Sequence, residues 1–181
     1  MQLTPTDKFH AKFRKPKKGR TLIVGSRVYP TREDRRKAYE SAVGVDMQEG
    51  DGVDFVADLE NWTETRRYLR PGSFAHIECR SVLEHSRRPW LMAATIERLL
   101  MQGGTLDISA PFVWRVHARP NDYFRYTTEA IRELFPGIEW RVLRYVTERK
   151  IEKPDAPTQG TVQDGQTYFA RSEVLGHGTK K

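Results

Sequence analysis

A chain of 181 residues, 38% hydrophobic and 30% charged, is long enough for one domain with its own core. Its single cysteine, Cys79, excludes an internal disulfide and fits a reducing compartment, and no apolar run approaches the roughly 20 residues that span a bilayer. A cytoplasmic protein is therefore expected. The charge is unevenly placed. There are 31 basic and 24 acidic residues, for a net charge of +7. Lys8, Lys12, Arg14, Lys15, Lys17, Lys18 and Arg20 supply the whole excess with no acid among them. Residues 1–18 thus read as a basic arm on a neutral body. Such an arm serves either as a solvating leader or as an electrostatic hold on nucleic acid, an anionic glycan or a membrane surface. Phe9 and Phe13, four apart, suit docking on the body or stacking on bases. No groove-reading motif follows the arm, which favours the solvating leader.

From residue 21 onward strands and helices alternate, the pattern of a mostly parallel sheet. Residues 21–25 form a short apolar run closed by Gly25, as a buried parallel strand should. Residues 31–40 are charged and predict only a short, exposed helix. Strands are predicted at 42–46 and 53–58, ending in Asp46 and Asp58, and a helix over 61–69 is closed by Pro71 and Gly72. A fourth strand covers 74–79. Leu91, Met92, Ile96, Leu99 and Leu100 set a helix over 89–101, with Gly103 placed to cap it. A strand at 105–110 stops at Pro111, a helix over 128–135 ends at Pro136 and Gly137, and a long strand fills 138–148. Residues 153–166 read as a loop, 168–174 as a last strand, and 176–181 as a flexible tail. The folded domain is expected over 19–175.

Ligands of open α/β sheets bind beyond the carboxyl ends of the strands. Asp46 and Asp58 stand there after consecutive strands, and a carboxylate so placed can accept both hydroxyl protons of a ribose. The segment from Phe112 to Thr127 follows the fifth parallel strand and is rich in rings and charge. His117 is its candidate base, because imidazole titrates near neutrality, and Asp122 is placed to orient it or to bind an acceptor amine. Trp114, Tyr123 and Tyr126 offer an aromatic wall, while Arg115, Arg119 and Arg125 suit an anionic substrate. The structural alternative is a long loop fixed by an Asp–Arg pair, with Thr127 or Thr128 capping the next helix. His76, Glu78, Cys79, Glu84 and His85 invite a metal reading, but no paired CxxC or HxxxH spacing supports one, so no metal is expected.

The run Cys79-Arg80-Ser81-Val82-Leu83-Glu84-His85, then Gly103-Gly104, Ala110-Pro111-Phe112 and the segment from His117 to Thr127, resembles the second half of a class I S-adenosylmethionine-dependent methyltransferase domain. In that family "VLEH" follows strand four, "GG" precedes strand five, and "PF…H…P.DY.R.T" follows it. The resemblance extends from Gly19 to about Val174. It implies a Rossmann-like, three-layer α/β sandwich with a seven-stranded, mostly parallel sheet, its last strand antiparallel between the fifth and sixth. It also implies S-adenosylmethionine as cofactor and methyl transfer to an O or N acceptor. Carried over residue by residue, Asp46 takes the ribose, Met47 packs on the adenine face, Asp58 meets the adenine amino group, and Leu59 packs on the ring. Gly25, Ser26 and Arg27 border the methionine end, Cys79 and Arg80 close the cofactor set at the end of strand four, and Glu84-His85 caps the helix entrance and lines the pocket floor.

The chain departs from the family at the glycine loop, where Ile23 replaces an acid and Arg27 and Tyr29 replace the second and third glycines. Ala75-His76 replaces the acid that opens strand four. These departures support an alternative, a degenerate relative that binds partners with little or no cofactor. A third reading makes the basic arm primary in nucleic-acid binding. The acceptor stays open among small molecules, glycans and nucleic acids, and the assembly between monomer and homodimer.

Overall fold

The β-branched and aliphatic runs build one seven-stranded sheet. In chain order its strands are β1 (Thr21–Val24), β2 (Ala42–Asp46), β3 (Phe55–Val56), β4 (Phe74–Arg80), β5 (Leu100–Pro111), β6 (Ile138–Ile151) and β7 (Tyr168–Lys180). The computed structural model describes residues 19–30, 32–114, 116–117, 121–151 and 168–181. The basic arm and the loop expected over 153–166 lie outside the described residues. The strands lie in the order β3-β2-β1-β4-β5-β7-β6. The first five pair in parallel, and β7 runs antiparallel to both β5 and β6. The expected strand order, with the last strand inserted antiparallel, is thus the observed one. Among the described residues no helix is long and apolar enough to cross a membrane.

The helices are α1 (Trp62–Thr65), α2 (Pro89–Leu99) and α3 (Thr128–Leu134). Asn61 and Thr127 cap α1 and α3 by accepting from the backbone N–H groups of Glu64 and Ala130. Of the expected helix over 31–40, residues 32–40 do not form an α-helix. They yield one 3-10 turn, Arg35–Ala38, that buries no residue. A segment with no apolar stripe has nothing to press on the sheet, so helix propensity alone has to sustain it and does not. α2 stops at Leu99 because Leu100 already pairs with Phe74 as the first residue of β5, so Gly103 falls inside the strand region rather than at a cap.

The tail expected from Gly176 is instead the paired end of β7. Gly176 lies opposite Ile108 on one side and Leu143 on the other, and Lys180 pairs with Ile138. A Cβ on Gly176 would come within 2.6 Å of the Trp140 ring, so glycine is what lets that ring lie against the strand. A glycine that reads as looseness in sequence is here a packing requirement.

Alternation along the strands sorts the sheet into two unlike faces. On one, Leu22, Val24, Ile77, Cys79, Leu106 and Ile108 pack with Met92, Ala93, Ile96 and Leu99 of α2 and with Ile131 of α3. The other carries His76, Glu78, Asp107 and His177, all buried. Arg80 and Arg35 pair with Glu78 at 2.7 and 3.0 Å, the Tyr39 hydroxyl donates to it at 2.8 Å, and His177 contacts Asp107 directly. His76 meets the Thr105 hydroxyl at 2.9 Å. The polar face is held by charge pairs where the apolar face is held by packing.

The loops at the carboxyl edge are tied to each other by Glu60. Its carboxylate accepts from the Ser86 hydroxyl at 2.8 Å, the Arg87 N–H at 2.8 Å and the Arg88 guanidinium at 3.0 Å. Burial works against its charged form, but these donors outweigh it and hold its pKa below the ordinary glutamate range. Glu60→Gln should cost about 1–2 kcal/mol at neutral pH, read from denaturant unfolding. Because the folded-state pKa is depressed, that difference should be complete above the ordinary glutamate pKa and vanish as the pH falls through the lowered value.

Candidate active site

At the end of β1 the backbone turns left-handed at Gly25, with φ +64°, and a Cβ there would lie 2.4 Å from Cγ2 of Val82. Only glycine lets the β1 turn approach the segment after β4 this closely. Ser26 is buried against Gly44 rather than facing outward, and its Oγ has no hydrogen-bond partner among the described residues. The chain then runs extended, and Val28 N–H donates to Asp51 O at 2.7 Å. The Arg27 guanidinium lies over the Tyr29 ring, 5.6 Å from its centroid, and reaches Gln48, so the side chain is directed outward. In place of a helix N-terminus, the end of β1 meets Arg35, which donates to Val24 O at 3.0 Å and Gly25 O at 2.5 Å.

Asp46 sits at the end of β2. One oxygen accepts from Arg27 N–H at 3.2 Å and the other from Gln48 N–H at 3.0 Å, which holds the carboxylate at the sheet's edge and leaves each oxygen a further lone pair. Met47 beside it is exposed. Asp58 accepts from Glu60 N–H at 2.8 Å. This edge fits the adenosine half of S-adenosylmethionine: a carboxylate with spare acceptor capacity, an exposed thioether next to it, and a second acid one strand over. The remaining members of the expected cofactor set are placed differently. The side chains of Leu59 and Cys79 lie in the core, and the Arg80 guanidinium is turned onto Glu78.

The other half of the edge is assembled from the ends of β4 and β5. A 3-10 turn, Leu83–His85, follows β4, and the segment after β5 is lashed to it. Tyr123 N–H donates to Glu84 O at 2.7 Å, and the Tyr126 hydroxyl donates to Leu83 O at 2.8 Å. Tyr126 is thereby buried and leaves the expected aromatic wall, while Trp114 and Tyr123 stay exposed. Arg115 and Arg119 lie outside the described residues. Asp122 holds His117: its Oδ2 accepts from His117 N–H at 2.8 Å and lies 3.1 Å from Nδ1. Arg125 grips the same carboxylate, and that pairing, opposed by partial burial, holds the Asp122 pKa well below the usual range.

What the sequence reading did not foresee is where Nε2 of His117 points. It lies 3.9 Å from Oε1 of Glu84, and Nε2 of His85 lies 3.8 Å from the same oxygen. The two imidazoles meet edge to face with centroids 4.9 Å apart. Glu84 is only 1% exposed, its Oε2 has no hydrogen-bond partner among the described residues, and burial pushes its carboxyl up to about 7. The available signal was Glu84-His85 directly after a buried strand, with another His after the next parallel strand. His76 and Glu78, the other metal candidates, belong to the polar sheet face and do not join this cluster.

The sequence matches no protein-family model and no curated protein. Solved structures do resemble it. A Bacillus halodurans protein assigned as a methyltransferase superposes with a TM-score of 0.66 at 14% identity, over 97% of this chain and 98% of that one. A SAM-dependent methyltransferase from Archaeoglobus fulgidus gives 0.62 at 13% identity, over 96% and 90%. The Burkholderia thailandensis 1,6-didemethyltoxoflavin-N1-methyltransferase, solved with 1,6-didemethyltoxoflavin and S-adenosylhomocysteine bound, gives 0.60 at 14% identity, over 97% and 76%. The fold is that of the class I S-adenosylmethionine-dependent methyltransferases.

Two measurements check this geometry. Gly25→Ala should destabilise the protein by about 2 kcal/mol or more in chemical unfolding, since it adds left-handed strain to the clash with Val82. Cys79, whose thiol burial pushes up to about 12, should resist alkylation in the native protein and react at once when the chain is unfolded.

Proposed function

We propose that the protein is an S-adenosylmethionine-dependent methyltransferase acting on an oxygen or nitrogen acceptor. The observation that carries this reading is the division of one sheet edge. Asp46 and Gly25 stand at the ends of β2 and β1, and the Glu84–His85–His117 cluster stands at the ends of β4 and β5. A cofactor held by the first pair would present its reactive end toward the second group.

When bound, S-adenosylmethionine supplies the methyl group: the acceptor's lone pair forms the new bond to carbon while the carbon–sulfur bond breaks and leaves its electron pair on sulfur. The chain's residues do the rest. Asp46 holds the ribose hydroxyls, and Gly25 keeps the neighbouring backbone free of a side chain. His117, fixed through Nδ1 by Asp122, turns Nε2 toward the acceptor space to receive its proton. Trp114 and Tyr123 give the acceptor a flat surface. Aligning the acceptor with the methyl is worth more to the rate than the proton transfer, so the loop's fixed geometry is the larger contribution.

One observation favours a second reading. Arg35 occupies the β1 end with three polar partners, and the first crossover lacks an α-helix among the described residues. A protein so altered at the methionine end would be a cofactor-free relative serving as a binding partner.

Titration calorimetry with S-adenosylmethionine and S-adenosylhomocysteine separates the two, since a saturating heat is expected of the enzyme and none of the relative. Asp46→Ala should weaken cofactor binding by about 2–3 kcal/mol, while Arg27→Gly should leave it unchanged, because that guanidinium already faces away. Once an acceptor is in hand, His117→Gln should keep cofactor affinity and cut turnover by about 10²–10⁴-fold. Normal binding by Asp46→Ala would overturn the ribose assignment.

A further inference from the structure

We infer that Glu84, His85 and His117 form a binding site for one divalent transition-metal ion of the zinc type, and that this ion holds a hydroxyl acceptor for methylation. The acceptor part of this inference rests on the methyltransferase reading, whereas the ion site stands on the geometry alone.

The three donor groups come from different places in the chain and converge. One carboxylate oxygen and two imidazole nitrogens lie within 4.8 Å of one another. Metal bonds of about 2.0–2.2 Å put neighbouring donors of a tetrahedral site about 3.4 Å apart. The observed separations of 3.8 and 3.9 Å close to that by small side-chain rotations. The arrangement around the donors is the stronger argument. His85 Nδ1 is taken up by the Asn121 carbonyl, and His117 Nδ1 lies 3.1 Å from the Asp122 carboxylate. Each imidazole therefore keeps its proton on Nδ1 and turns the Nε2 lone pair into the cluster. A carbonyl or carboxylate behind each ligating histidine is the usual outer support of a metal site.

Glu84 supplies a second, independent sign. It is buried with an oxygen that no donor among the described residues satisfies, an arrangement that costs stability unless a proton or a cation completes it. Arg125, whose charge reaches this group, is committed to Asp122. Two imidazoles and one carboxylate suit zinc and its transition-metal neighbours better than magnesium or calcium, which prefer oxygen donors. Three protein ligands leave coordination positions open.

Those positions lie on the side of β4 and β5 that the proposed function assigns to the acceptor. A hydroxyl bound there has its O–H bond weakened, loses the proton to water and retains its electron pair on oxygen. In the loaded site His117 acts as a ligand, and the ion takes over the acidifying role that a base has in its absence. An acceptor with two adjacent hydroxyls fills two open positions at once and is the preferred class.

The test uses the untagged, full-length chain after chelator treatment, titrated with Co²⁺ at neutral pH and followed by visible absorption. One ion per chain is expected, displaced by Zn²⁺. His85→Ala and His117→Ala should each lower the affinity at least tenfold, and Asp122→Asn by about 10–100-fold through the outer support. Circular dichroism confirms that each variant is folded. Zinc X-ray absorption on the wild-type chain, which does not depend on variant folding, should show two imidazole nitrogens at about 2.0–2.1 Å. The inference is overturned if Co²⁺ does not saturate, if both histidine variants bind normally, or if the absorption spectrum shows no imidazole. Calorimetry with S-adenosylhomocysteine keeps the two readings apart. Metal binding without it sustains the ion site and removes its acceptor role, while cofactor binding without metal removes the ion site and leaves the methyltransferase standing.

Discussion

The turn after β4 places Glu84 in a position where its backbone and its side chain have opposite duties. Its carbonyl accepts from Tyr123 N–H and so pins the segment after β5 across the end of β4. Its carboxyl is carried beneath that segment and away from water. The tie that draws His117 into the site is therefore the same one that desolvates Glu84. Tyr126 adds a second tie to the preceding residue, Leu83, and spends its hydroxyl on a backbone carbonyl rather than on a ligand. Without these bonds the loop would keep its residues but lose their convergence.

The sheet beneath is two-sided in its energetics as well as in its composition. The face under α2 and α3 depends on close packing of aliphatic side chains, where each buried side chain contributes about 1.5–3 kcal/mol. The opposite face buries Glu78, Asp107, His76 and His177, and such groups stabilise only while each keeps its partner. Arg35 joins this network to the glycine turn, because one guanidinium serves both Glu78 and the carbonyls at the end of β1. In a fold where a helix N-terminus usually faces that point, a single side chain does the capping. The glycine turn at the end of β1 and the polar face are consequently coupled.

The fold was largely visible in the sequence because strand signals are local. Apolar runs of five or six residues bounded by glycine, proline or acid marked the first four strands to within a few residues, β5 begins at Leu100, ahead of its run at 105–110, and the resemblance supplied the strand order. The errors fall where tertiary contact decides. Residues 31–40 lacked an apolar stripe, and only the fold shows that a 3-10 turn suffices there. Gly176 and Gly178 looked like a loose end because the Trp140 ring and Ile138 that require them lie more than thirty residues away. The site was legible in part. Asp122 beside His117 followed from short spacing. The meeting of Glu84, His85 and His117 did not, because it joins the ends of two strands whose adjacency no periodicity reveals. Leu59 and Cys79 turn their side chains into the core, which their motif positions did not reveal, because a position in a motif does not say which way its side chain points.

The same geometry shows how the site reconciles rigidity with exposure. Asp122 is nearly inaccessible, yet His117, which it holds, remains about one-third exposed. Arg125 keeps that carboxylate charged across the working pH range, so the orienting group does not titrate along with the group it orients. Holding an imidazole by a charge-locked partner on one side fixes the ring's direction while leaving it partly open to solvent. Glu84 lies on the other side of the same ring, with no such lock among the described residues. The two acids of this loop crossing are therefore held in opposite ways, one clamped by Arg125 and one buried with an oxygen that has no partner among the described residues.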